Sequence, residues 1–159
     1  TELKPLNAAI DVIVLLTHRH HECSVEISSI GGVEAIVRVM EAIPNCLALQ
    51  EIGCAALRNL TYCHLGQQKA LEAVQTIPIL LAAVNNHLVS FKLCEYAVLA
   101  LHNVVRDDNL STKLLLSSGG VAAAIKVKEK WINKGSVQRA VQMLMVPLWE
   151  ELNSWKQVN

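Results

Sequence analysis

The feature that most limits how this chain can fold is a self-similarity of 44 residues. The segment Gly53-Cys54-Ala55-Ala56-Leu57-Arg58-Asn59-Leu60 returns as Ala97-Val98-Leu99-Ala100-Leu101-His102-Asn103-Val104. Val33, Ile77 and Val121 keep the same phase; Gly31-Gly32 precedes the first, Gln75-Thr76 the second and Gly119-Gly120 the third. A helical unit of this length cannot bury its apolar face alone, so a sustained period implies units stacked on one another.

Apolar positions at helical spacing place the elements. Pro5 suits a first turn, and Ala8, Ala9, Val12, Ile13, Leu15 and Leu16 continue a stripe to about Arg19. Subtracting 44 from Ala56, Leu57 and Leu60 gives Val12, Ile13 and Leu16, so this first helix reads as the last helix of a unit whose beginning is missing. A short helix to about Ser29 leads to Gly31-Gly32, where a sharp bend needs positive φ or close backbone approach. A second helix runs from Val33 to about Ala42, stopped by Pro44-Asn45, and a third from Leu47 to Cys63.

The next unit reads as helices over Gln67 to Val74, Ile77 to Asn85 and Ser90 to Arg106, with Pro78 in a first turn and Ser90 as a cap. The last reads as Ser111 to Leu116, Val121 to Ile132 and Ser136 to Trp155, with Ser136 as the cap. Pro147 stands where Asn59 and Asn103 stand, and mid-helix it predicts a kink. The chain divides into a partial unit over 1–20, full units over 21–64 and 65–108, and a final unit with its cap over 109–159.

Composition narrows the function classes. The 159 residues are 52% hydrophobic and 18% charged, with a mean hydropathy of +0.34, a balance suited to closely stacked helices. No run of about 18 apolar residues escapes interruption, so no transmembrane helix is expected. Fourteen basic and fourteen acidic side chains give zero net charge, which speaks against a surface dominated by nucleic-acid phosphates or anionic lipid. The five cysteines are scattered without a CxxC pair and read as reduced packing residues, which favours an intracellular chain, cytoplasmic or nuclear. No signal peptide is visible at Thr1-Glu2-Leu3-Lys4-Pro5.

Short helix, Gly-Gly turn, second helix and long third helix with Ala-Leu-x-Asn-Leu: this order resembles the armadillo repeat. The segments 56–60 and 100–104 carry the resemblance most specifically, and HEAT-type pairs are the runner-up. It implies an all-α, right-handed α-solenoid of about three full repeats plus a partial N-terminal one. It further implies a concave groove along the third helices that receives an extended peptide, with Asn59 and Asn103 at the position that bonds the peptide backbone. At about 100° per residue, Glu51, Ala55, Arg58, Asn59 and Tyr62 share one face and Leu49, Gly53, Ala56, Leu57 and Leu60 the other. Glu95, Leu99, His102, Asn103 and Arg106 form the matching exposed face. The candidate partner-binding set is therefore Asn59, Asn103, Arg58, His102, Tyr62, Arg106, Glu51 and Glu95.

Importin-alpha-like arrays carry tryptophan where Ala55 and Leu99 stand here, and catenin-type arrays have a strongly basic groove where this face mixes charges. Each candidate also has a plainer reading: the asparagines could hold the stack by bonding a neighbouring helix, and Arg58, Tyr62, His102 and Arg106 could be a solvated face. His18, His20, His21, Glu22 and Cys23 have donor types for zinc but poor spacing, so no metal is assigned. No catalytic motif or phosphate-cradling loop is present, and no cofactor is expected. Trp131, Trp149 and Trp155 read as an end cap of the core or, alternatively, as a docking surface. The expected function is a non-catalytic scaffold for a peptide or protein partner; the alternative is an internal structural or regulatory segment of a larger protein, packing through its ends on further repeats or domains.

Overall fold

A computed structural model describes residues 3–72 and 75–158, and the described residues form ten α-helices without strands. They are α1 (Leu3–Thr17), α2 (His21–Ser29), α3 (Gly32–Ala42), α4 (Leu47–Leu60), α5 (His64–Glu72), α6 (Thr76–Asn86), α7 (Phe91–Val105), α8 (Asn109–Ser117), α9 (Gly120–Lys130) and α10 (Gly135–Val158). The long helices form one row: α4 packs between α1 and α7, and α7 packs on α10. The shorter helices stack alongside, α2 on α5 and α3 on α6, with α6 followed by α9.

Each helix owes its place to an apolar stripe. In α4, Leu49, Ala56, Leu57 and Leu60 are fully buried, and the same phase in α7 buries Leu93, Ala97, Ala100, Leu101 and Val104. The Gly-Gly elbows divide two tasks. Gly31 and Gly119 take left-handed φ of 87° and 85°, a region that costs other residues about 1 kcal/mol or more. A Cβ at Gly32 or Gly120 would sit 2.7 Å from the Ile27 carbonyl oxygen or 2.8 Å from that of Leu115. The middle unit has no such elbow: Gln75 is right-handed and Thr76 starts α6, with Pro78 in its first turn.

Polar braces repeat with the sequence. Gln50 Nε2 donates to the carbonyls of Met40 (2.8 Å) and Ile43 (3.0 Å), and 88 residues on Gln138 Nε2 donates to those of Lys128 (2.9 Å) and Trp131 (3.0 Å). The His87 ring meets the Pro44 carbonyl at 2.8 Å, and 44 residues on Trp131 Nε1 donates to the Leu88 carbonyl at 3.0 Å. These bonds satisfy carbonyls that the ends of α3, α6 and α9 leave without intrahelical partners.

Several expected boundaries shift for local reasons. α1 ends at Thr17, whose hydroxyl bonds back to the Ile13 carbonyl at 2.7 Å, and Arg19 follows with φ 61°. α5 starts early, at His64, with Gly66 pressed against the Leu60 carbonyl where no Cβ fits; Val74, its expected end, lies outside the described residues. Ser90 caps α7 as expected, accepting from the Leu93 amide at 3.2 Å. Ser136 does not cap α10: it is the second residue of that helix and its hydroxyl donates to Glu95. Asp108 caps α8 by accepting from the Ser111 amide at 2.7 Å. α10 runs through Pro147 as one helix of 24 residues.

Candidate functional site

A cleft of about 600 Å³ opens where the C-terminal halves of α1, α4 and α7 face the start of α2 and the middle of α10. Its size falls in the range of ligand sites. Arg58, Asn59 and Tyr62 of α4 and its end line it, with Leu99 and Asn103 of α7 and Met143 of α10; the α1–α2 corner adds Thr17, His18, Arg19, His20, His21 and Ser24. Five residues on the two faces named from sequence thus converge: Arg58, Asn59, Tyr62, Leu99 and Asn103. The corner residues and Met143 were missed, because they come from separate elements whose meeting no spacing reveals.

The two asparagines hold the stack. Asn59 Nδ2 donates to the Val14 carbonyl (3.2 Å) and Thr17 Oγ1 (3.3 Å), and Asn103 Nδ2 donates to the Arg58 carbonyl (3.0 Å) and Thr61 Oγ1 (3.4 Å). Acceptors and donors both step by 44. Each amide therefore completes the C-terminal carbonyl row of the preceding long helix. Asn103 is buried at 6% exposure, although its face was expected to be open.

Arg58 and Tyr62 remain available. Arg58 Nε and Nη2 both donate to Asn59 Oδ1 (3.1 and 2.8 Å), and the guanidinium lies 4.7 Å from the Tyr96 ring centroid. Those contacts fix its plane and leave Nη1 without a partner among the described residues. Tyr62 is 70% exposed; its ring is approached by the Arg106 guanidinium at 5.6 Å, and its carbonyl accepts from Arg106 Nη2 at 2.7 Å. Arg106 thus clamps the end of α4 rather than lining the cleft.

Glu51 and Glu95 do not reach this cleft. They lie near the N-terminal ends of α4 and α7 and accept from Ser90 (2.7 Å) and Ser136. The mixed charge read along the face is therefore separated in space, acids at one end of the long helices and arginines at the other. His102 also lies outside the cleft lining. Burial holds its imidazole below the ordinary 6.5, with cationic Arg106 adding to the effect while the Met143 carbonyl and Asp107 oppose it. Its Nδ1 is buried without a hydrogen-bond partner. Pro147 has no amide hydrogen to give the Met143 carbonyl four residues before it, so that oxygen is open to the imidazole.

Other chemistry finds little support in the geometry. His18, His20 and His21 are exposed and Cys23 is half-buried, and no three potential metal ligands converge among the described residues. All five cysteines are unpaired thiols. Burial pushes Cys54 far up and Cys94 to about 11, which keeps both protonated and unreactive. Of the tryptophans, Trp131 alone closes a joint, packing edge-on against Phe91 at 5.9 Å. Trp149 and Trp155 are 58% and 48% exposed, so they do not seal the end of the core. No single described helix is long and apolar enough to cross a membrane.

Compared with protein-family models, curated proteins and solved structures, the chain matches none.

Proposed function

We propose that this chain is a right-handed α-solenoid of armadillo repeats acting as a non-catalytic interaction scaffold, and that a peptide or protein partner lies along the concave face of the long helices. The observation that carries this reading is the cleft: Arg58, Tyr62, Leu99 and Met143, from the ends or middles of three long helices, line one space of about 600 Å³. Arginine and tyrosine are the types that anchor interfaces, because they combine area with directed hydrogen bonds. The contact role moves from the asparagine amides, which bond within the chain, to Arg58 and Tyr62. Unpaired thiols fit an intracellular setting.

A photo-crosslinking residue at position 99 inside the cleft, compared with one at Arg38 on the outer face of α3, tests this. A partner captured from position 99 and not from position 38 supports the groove. Equal capture, or capture from position 38 alone, rejects it.

A second reading rests on the ends of the row. Val12 and Leu16 are 52% and 50% exposed, whereas their equivalents one unit later, Ala56 and Leu60, are fully buried. At the other end Ile125 is 46% exposed, whereas Val37 and Leu81 are buried. These faces suit packing on further repeats or domains of a larger protein. Substituting Val12 and Leu16 by lysine inside the longest natural chain should then destabilise it, and an unchanged unfolding temperature there would sink the idea.

A further inference from the structure

The charge lining the cleft is one-sided. The chain as a whole is balanced, fourteen against fourteen, yet the cleft walls hold Arg19, Arg58 and three histidines and not one carboxylate. Glu22, next along α2, is exposed but is not part of the lining, and Glu51 and Glu95 are bound to serines at the far end of the long helices. Neither Arg19 nor the histidine side chains of the corner make a hydrogen bond or ion pair among the described residues. Arg58 spends two of its donors on Asn59 and keeps Nη1. Beside these donors lie the half-buried Leu99 and the 45%-exposed Met143, an apolar floor.

Resting on the groove reading above, we infer that the cleft takes an acidic, extended peptide segment, with carboxylates toward Arg19 and Arg58 and one apolar side chain against Leu99 and Met143. Charge complementarity sets the choice. A basic peptide would meet two arginines with no acid to answer it, and like charges brought together disfavour binding. A neutral peptide would desolvate the arginines without replacing their water. A single-stranded nucleic acid needs a basic track well beyond one cleft, and the same face turns acidic at Glu51 and Glu95.

Arg19 offers a clean probe. It sits at φ 61°, where glycine is more comfortable than arginine. Arg19→Gly therefore removes a cation from the rim while easing the backbone, so lost binding cannot be blamed on lost folding.

The experiment is an unbiased selection of random displayed peptides on the whole chain, followed by fluorescence anisotropy of the recovered peptides with the wild type, Arg19→Gly and Tyr62→Ala, with thermal unfolding of each variant. The expected peptides are rich in Asp and Glu. Arg19→Gly weakens them by about threefold at an unchanged or higher unfolding temperature, Tyr62→Ala weakens them by about tenfold, and added salt reduces the discrimination. Neutral or basic peptides that still depend on Tyr62 overturn the acidic inference and leave the groove reading standing. Peptides indifferent to both substitutions, or a selection that returns none, overturn both. A single-stranded oligonucleotide that binds more tightly than any recovered peptide overturns the peptide assignment.

Discussion

The C-terminal ends of α4 and α7 solve one problem in two ways. Both helices leave carbonyls that no later turn can satisfy. At α4 the next long helix supplies the donor, Asn103 bonding to the Arg58 carbonyl, as Asn59 does for Val14 of α1. At α7 the carbonyl in that place, of His102, accepts from the Arg106 amide of the same chain segment at 2.9 Å, and the carbonyls after it are met from the short helices: Gln67 Nε2 reaches those of Val104 (3.4 Å) and Arg106 (2.6 Å), and Thr112 Oγ1 reaches that of Val105 at 3.1 Å. Relieved of that duty, the corresponding position of α10 holds Pro147, which has no amide to give. A repeat thus conserves the satisfaction of a backbone group and not the residue that performs it.

The comparison breaks most visibly at its buried donors. Asn103→Leu should lower stability by about 2–3 kcal/mol, since it strands the Arg58 carbonyl and removes a donor from the buried Thr61 hydroxyl; thermal or denaturant unfolding measures this. Gln67→Leu, also buried at 6% exposure, should cost about 2 kcal/mol for the same reason. A negligible effect there would mean that the two ends are not equivalent after all. Pro147→Asn should act in the opposite direction and raise stability by about 1–2 kcal/mol, part of the penalty for proline inside a helix; a loss would show that the ring's packing outweighs the missing donor. Asn59→Ala, at a half-buried site, should cost about 1 kcal/mol.

The smallest effect concerns His102. Its folded pKa lies below the unfolded value of 6.5, so the unfolded chain takes up the proton first. Above about 6.5 the ring is neutral in both states and pH has no leverage; as pH falls below that value, stability declines. His102→Gln should flatten the decline in a pH series of unfolding curves, and an unchanged slope would assign it to other groups.

Much of this molecule was legible in advance because helix periodicity and a fixed 44-residue step are both properties of sequence spacing. Among the described residues the ten helices lie within a few residues of the spans read from spacing, the end expected at Val74 falling outside them, and Gly31 and Gly119 take the left-handed conformation a sharp elbow demands. The face of α4 that packs, Leu49, Gly53, Ala56, Leu57 and Leu60, is buried throughout. Less could be read of the cleft. Arg58, Asn59, Tyr62, Leu99 and Asn103 were on the right faces, but a helical wheel cannot tell a face that meets solvent from one that meets the end of a neighbouring helix. That is why Asn103, placed on an open face, is buried against the Arg58 carbonyl.

The sequence by itself determined the all-helical class, the length of the repeating step and the sides of the helices that turn inward, because these follow from local backbone geometry and the burial of apolar surface. Only the tertiary structure decided which polar groups remain free. Glu51 and Glu95 were claimed by serines, the asparagines by carbonyls and Arg106 by the end of α4, while Arg19, Arg58 and Tyr62 were left at the cleft. Those outcomes depend on donors and acceptors brought together from about 40 residues apart, and a hydrogen bond reaches only about 3 Å.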